Sequence, residues 1–154
     1  MDEILIKNWN DLVQPSDSIY HMGDFSFYYA EKTLSIIKRL NGQKHMVKGN
    51  HDKHAILKPC YDSFVWVKDY FELVVDKQMI VMQHFPFLTW NKSHHGSWNL
   101  HGHCHGNLPD DPHSLRLDVG VDCHGYKPIS FEQVKAIMAK KTFKPVDHHG
   151  RKDE

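Results

Sequence analysis

The chain has 154 residues, 40% of them hydrophobic and 25% charged, which is enough for the core of one domain and leaves little room for a second. Lysine plus arginine and aspartate plus glutamate balance at 19 each, so composition argues against a general nucleic-acid surface or a charged interaction tail. No apolar run approaches the roughly 18–20 residues that span a bilayer, the start Met1-Asp2-Glu3-Ile4 lacks a signal-peptide layout, and Cys60, Cys104 and Cys123 make no disulfide framework. A reduced, cytoplasmic protein that engages no membrane is expected. The outlying count is histidine, at 14.

Residues 2–14 read as an amphipathic helix through Ile4, Leu5, Trp9, Leu12 and Val13, broken by Pro15-Ser16-Asp17. Ser18 to Met22 follow as a short strand that ends in Gly23-Asp24. Helical periodicity returns over 29–40 through Ala30, Leu34, Ile37 and Leu40, and Asn41-Gly42 stops it. Gln43 to Lys48 form a second strand, ending in Gly49-Asn50-His51-Asp52. Runs of strand length then occupy 64–67, 70–75 and 79–82, the last ending at Gln83-His84. A loop covers 85–97. Trp98-Asn99-Leu100 lead into His101-Gly102-His103-Cys104-His105-Gly106, and Leu115 to Val121 alternate as a half-buried strand. Ser130 opens a last helix, with Gln133 placed for a capping box. The expected organisation is one α/β domain over 1–143, a layered mixed sheet flanked by helices, with a polar, frayed tail over 144–154.

Four polar motifs terminate predicted strands: Gly23-Asp24, Gly49-Asn50-His51-Asp52, Gln83-His84 and Gly102-His103-Cys104-His105. Loops beyond the carboxyl ends of strands are where α/β sheets bind ligands. Carboxylate, amide oxygen and imidazole together suit a first-row transition metal and suit calcium poorly. His103 and His105, two apart on an extended segment, are expected to project to one side and Cys104 to the other. Taken singly, Gly-Asp is usually a turn and a lone histidine usually structural. Four motifs in this order carry the metal reading.

In that order they resemble the calcineurin-like metallophosphoesterase superfamily, whose pattern runs Asp-x-His, Gly-Asp, Gly-Asn-His-(Asp/Glu), a lone His, and Gly-His-x-His. The resemblance covers roughly residues 2–138. Asp118-Val119-Gly120-Val121-Asp122 and Lys127-Pro128-Ile129-Ser130 look like its small phage- and bacterium-type members. It implies that Asp24 bridges two divalent metals (Mn, Fe, Ni or Zn), that Asn50, His84 and His103 complete one site, and that His105 reaches the other. It further implies that His51 is the general acid, its ring held by Asp52, in hydrolysis of phosphomono- or phosphodiesters, nucleotide-derived substrates among them. The family's opening Asp-x-His strand has no counterpart here, so the second metal site is expected to be weak, activity low and self-association favoured. The competing reading is a degenerate relative that acts by binding a partner.

Several residues have plainer readings. Arg116 on an alternating strand is expected to be a solvated residue rather than a phosphate contact. Trp90 and Trp98 are expected to pack against the core rather than stack a base. His21 and His101 are read as structural or as supports for the motif residues; His124, which follows Asp122 near the expected site, is weighed as such a support and given the plainer reading. His94-His95 and His148-His149 are read as surface pairs, the second in the tail.

Overall fold

The computed structural model describes residues 1–146. Helix α1 (Asp2–Leu12) leads to strand β1 (Ser18–His21), helix α2 (Ala30–Arg39) and strand β2 (Gln43–Val47). A short helix α3 (His54–Leu57) and a 3-10 turn (Lys58–Ser63), neither legible as periodicity, precede β3 (Trp66–Lys68). Then come β4 (Tyr70–Val75), β5 (Gln78–Gln83), β6 (Trp98–His101), β7 (Arg116–Asp118) and helix α4 (Phe131–Ala139).

The expected layered α/β architecture is present, with its sheet divided in two. β1, β2 and β3 form a parallel sheet in that order, and β4-β5-β6-β7 form a mixed one. In the first sheet α2 carries the chain from β1 to its parallel neighbour β2, the ordinary crossover. In the second, β4 and β5 are an antiparallel hairpin whose turn residues Asp76 and Lys77 both have positive φ (47° and 67°), the left-handed pair a two-residue hairpin turn requires. β6 and β7 then add in parallel.

Strand alternation sorts the core. Val47 of β2 joins Met22, Ile80, Met82, Leu100 and Leu117 in a cluster between the sheets, and α4 closes it with Val134 and Met138. Met46, one residue earlier, turns the other way and packs with Ile37, Leu57, Cys60 and Phe64 under α2 and α3. α1 is tied to α2 by the bidentate pair Arg39–Glu3 (2.7 Å on both arms) and by Asn10 to Asn41.

Some boundaries differ from expectation. The alternating run expected to reach Val121 stops at Asp118, whose Oδ1 accepts the Gly120 N–H (2.9 Å) and turns the chain into a 3-10 turn over Val121–Cys123. The chain expected to fray from Lys144 is still anchored there, because Thr142 and Lys144 donate main-chain hydrogen bonds to Pro112 and His113. His148-His149 lie outside the described residues. Arg116 is half-buried and donates to the Phe87 carbonyl (2.9 Å), a structural contact rather than a solvated one. Trp98 packs on Phe131 in the core and Trp90 packs against the same cluster, both as expected, and the Trp90 indole N–H donates to Ser97. Among the described residues no helix is long and apolar enough to cross a membrane.

The apolar stripe read for α1 is incompletely covered. Ile6 and Val13 are buried, whereas Ile4 and Leu12 remain 57% and 53% exposed, and Leu5, Trp9 and Leu12 border a cavity of about 1250 Å³.

Candidate metal centre

All four motifs converge where the two sheets meet. Asp24 and Asn50 hang from the carboxyl ends of β1 and β2, and His84 and His103 follow β5 and β6. Each sheet therefore contributes a pair of parallel strands pointing the same way, so that loops from both open onto one place.

Asp24, His84 and His103 bring one ligand atom each within 4.8 Å of one another. The Oδ2 of Asp24 lies 3.2 Å from His84 Nε2, and these side chains are 9% and 1% exposed, so the contact is shielded from water. Asn50 Oδ1 touches both imidazoles, at 2.9 Å from His84 Nε2 and 3.1 Å from His103 Nδ1. The other nitrogen of His84 meets the Met22 carbonyl at 2.6 Å. A carbonyl can only accept, so Nδ1 carries its proton and donates it. That fixes the ring and turns Nε2 toward Asp24 and Asn50, the arrangement a metal-binding histidine uses. Nε2 thus faces a carboxylate and an amide oxygen, with His103 beside them. A divalent ion fits this donor set.

Local backbone makes the convergence feasible. Gly23 (φ +97°) and Gly49 sit back to back, and a Cβ on Gly49 would lie 2.3 Å from Asp24 Oδ1. Asp24 itself has φ 55°, which its surroundings must enforce. Asp52 supplies much of that enforcement. Its carboxylate accepts the main-chain N–H groups of Asp24 (2.7 Å), Phe25 (2.9 Å) and Gly49 (2.7 Å). The expectation that Asp52 holds the ring of His51 is therefore corrected: three backbone donors occupy its oxygens, and it welds the β1 loop to the β2 loop. His51 donates its own main-chain N–H to Asp24 Oδ1 (2.7 Å), while its exposed ring lies against Phe27.

A second correction concerns His103 and His105. The segment is not extended: both have positive φ (65° and 50°), and Cys104 N–H folds back onto the Gly102 carbonyl. The two rings consequently diverge. His103 joins Asn50, whereas His105 pairs with Asp122 (Nδ1 to Oδ2, 2.6 Å). Nothing in the sequence pairs Asp122 with His105, 17 residues before it. Phe85 was missed too; its ring packs against His84 and His103 at centroid distances of 5.1 and 4.6 Å and covers one side of the cluster.

His21 and His101 behave as structural groups. Burial pushes His21 below the ordinary imidazole range against the opposing charges of Asp52 and Asp24, and its Nδ1 accepts the Gly23 N–H. Burial likewise holds His101 low, with Nδ1 donating to the Gly102 carbonyl. His124 is half-buried and reaches the Asp118 carbonyl through Nε2 (2.8 Å).

With this geometry in place, the comparisons with known proteins are informative mainly about fold. No protein-family model matches the chain. An uncharacterized protein of Methanocaldococcus jannaschii is 28% identical over 147 residues, covering 91% of this chain and 76% of that protein. The crystal structure of a protein of unknown function from Aquifex aeolicus superposes with a TM-score of 0.69 at 25% identity, over 88% of this chain and 84% of that one. The architecture is shared.

Proposed function

We propose that the chain is a metal-dependent phosphoesterase of the metallophosphoesterase type, with Asp24, Asn50, His84 and His103 holding its primary ion. The observation that carries this reading is the oriented His84, whose Nε2 faces Asp24 Oδ2 and Asn50 Oδ1 in a shielded pocket. A divalent ion bound there would polarise a phosphoryl oxygen and supply hydroxide near neutral pH. The mixed oxygen and imidazole donors favour Mn, Fe, Ni or Zn.

The chain's own groups account for the remainder of the chemistry. Asp24 and Asn50 fix the position of the phosphoryl group from the side of the first sheet. His51, one residue beyond Asn50 and tied by its main chain to Asp24, has an exposed ring free to donate a proton to the leaving oxygen. Phe27 lies against the ring of His51 and Phe85 against that of His103, which gives each imidazole an apolar neighbour on one side. His105 and Asp122 form a second, more open pair at the rim, 65% and 33% exposed, which suits a weaker ion.

The test is metal content together with hydrolysis of nitrophenyl phosphate and bis-nitrophenyl phosphate by Mn- and Zn-loaded protein. His84→Ala is expected to abolish binding of the tighter ion. His51→Ala should keep that ion while lowering turnover by about 10²–10⁴-fold with alkyl leaving groups, and by less with nitrophenolate. Metal binding that survives His84→Ala would refute the site. Tight metal binding with neither ester hydrolysed would favour the degenerate, partner-binding reading.

A further inference from the structure

We propose that Phe27 determines specificity at this site, as the platform on which the base of a nucleoside leaving group stacks. The proposal rests on the reading above, that an ion held by Asp24, Asn50, His84 and His103 binds the phosphoryl group while His51 protonates the leaving oxygen.

Two phenyl rings border the cluster. Phe85 packs against the ligand residues His84 and His103, at 5.1 and 4.6 Å between ring centroids. Phe27 is 75% exposed, and among the described residues its one ring contact is with His51, at 5.4 Å. Phe85 thus marks the side of the ion and Phe27 the side of the acid. A group attached to an oxygen within hydrogen-bond reach of the His51 ring passes beside Phe27.

The loop holds Phe27 out in the open. Before it, the Phe25 N–H is bound to Asp52 (2.9 Å), and the Phe25 ring packs on His21 and, edge-on, on Phe64 in the core under α2. Ser26 Oγ accepts from the Tyr28 N–H (3.1 Å) and from the hydroxyl of buried Thr33 (2.8 Å). After it, Tyr28 donates to Asp2 (2.9 Å) and has Lys32 Nζ 3.4 Å from its ring centroid. With residues 25, 26 and 28 each tied down, the exposure of Phe27 is built rather than left by slack. A lone exposed apolar residue is ordinary on a protein surface. One pinned beside the proton donor, three residues after a ligand, is placed to meet what the donor serves.

The acid narrows what that ring would meet. A proton donor matters most when the departing oxygen is basic, as an alkoxide is and a phenolate, with a pKa of about 10, is much less. The leaving oxygen therefore belongs to a saturated carbon, and a flat group that stacks must sit beyond it. A nucleoside meets both conditions. Its 5′ oxygen departs as a primary alkoxide, and its base lies one sugar away, the reach from His51 to a ring 5.4 Å distant. Hydroxide adds to phosphorus, the bond from phosphorus to that oxygen breaks, and the His51 proton ends on it, releasing the free nucleoside. Phenylalanine offers a face and no hydrogen-bonding atom, so it holds any base and reads none.

The probes are thymidine 5′-methylenephosphonate, in which carbon replaces the leaving oxygen, and the matching tetrahydrofurfuryl phosphonate, which keeps the sugar ring and lacks the base. Titrated calorimetrically into Mn-loaded protein, the nucleoside compound should bind at least about fivefold tighter, the lower end of what base stacking on an aromatic ring gives. Phe27→Leu should bring the two within about twofold of each other, with metal content and unfolding unchanged, and Phe27→Trp should restore the preference. Adenine, guanine and cytosine versions should bind within about threefold of the thymine one. The proposal fails if the abasic compound binds as well, if neither binds, or if the preference survives Phe27→Leu. It fails also if the phosphonomethyl analogue of phosphotyrosine binds as tightly and depends on Phe27, since the ring would then serve a phenolic ester. Concentration-dependent association abolished by Phe27→Leu would give the ring to a second copy and overturn it. The esters themselves separate stacking from hydrolysis. Thymidine 5′-phosphate and tetrahydrofurfuryl phosphate cleaved at equal kcat/KM would refute stacking and leave hydrolysis standing. A Phe27-dependent preference in binding, with neither ester cleaved, would keep the stacking site and refute hydrolysis.

Discussion

At the residue scale, the site depends on close approaches that only small residues permit. Gly49 is the strictest. Its added Cβ would meet Asp24 Oδ1 at 2.3 Å and Asp24 N at 2.6 Å, inside any tolerable contact. Gly49→Ala is therefore expected to push the Asp24 carboxylate out of the cluster, with at least a tenfold loss of Mn or Zn affinity by calorimetric titration and about 1–3 kcal/mol of stability. Cys123 makes a prediction of the opposite kind. Burial, and then the charges of Asp118 and Asp122, push its thiol up to about 11. At pH 8 only about one molecule in a thousand carries the thiolate, so iodoacetamide should label it about 100-fold more slowly than free cysteine, and faster as pH rises. Rapid labelling at pH 8 would show that the thiol is free of that environment. The ligand residues were legible because each follows a strand, and three of them, Asp24, Asn50 and His103, have a glycine immediately before them. The role of Asp52 was not, because a carboxylate that holds backbone looks in sequence like one that holds a ring. Nor was the divergence of His103 and His105, which rests on two left-handed residues that no periodicity announces.

At the element scale, α4 was the most legible segment: Ser130 accepts from the Gln133 N–H and Gln133 Oε1 from the Ser130 N–H, the reciprocal pair the sequence predicted. The helix buries Val134 and Met138 against the second sheet. Ser130→Ala should cost about 1 kcal/mol, seen as a lower urea midpoint with unchanged slope. An unchanged midpoint would mean the first turn is held by packing alone. α3 and the 3-10 turn after it were illegible because four and six residues are too few for a period to show. The strand expected to reach Val121 misled for a different reason. Its alternation is real, but Asp118 captures the Gly120 N–H and ends the ladder.

At the scale of the molecule, the layered α/β class followed from helices alternating with strands early and strands dominating later. The division into two sheets did not, since strand runs carry no record of which neighbour they pair with. The division determines how a ligand would stabilise the fold. An ion present at about 100 times its dissociation constant adds about 2.7 kcal/mol, which for a domain of this size is a rise of about 5–10 °C in Tm. Mn or Zn should produce it, EDTA should reverse it, and His84→Ala should lose it. A Tm indifferent to metal would count against the site. Asp24 and Asn50 belong to one sheet and His84 and His103 to the other, so an ion gripped by all four would act as a rivet through two plates. Its escape would then be timed by the parting of the plates and not by the turning of any one ring, and the rate of metal exchange would become a clock for the breathing of the whole sandwich.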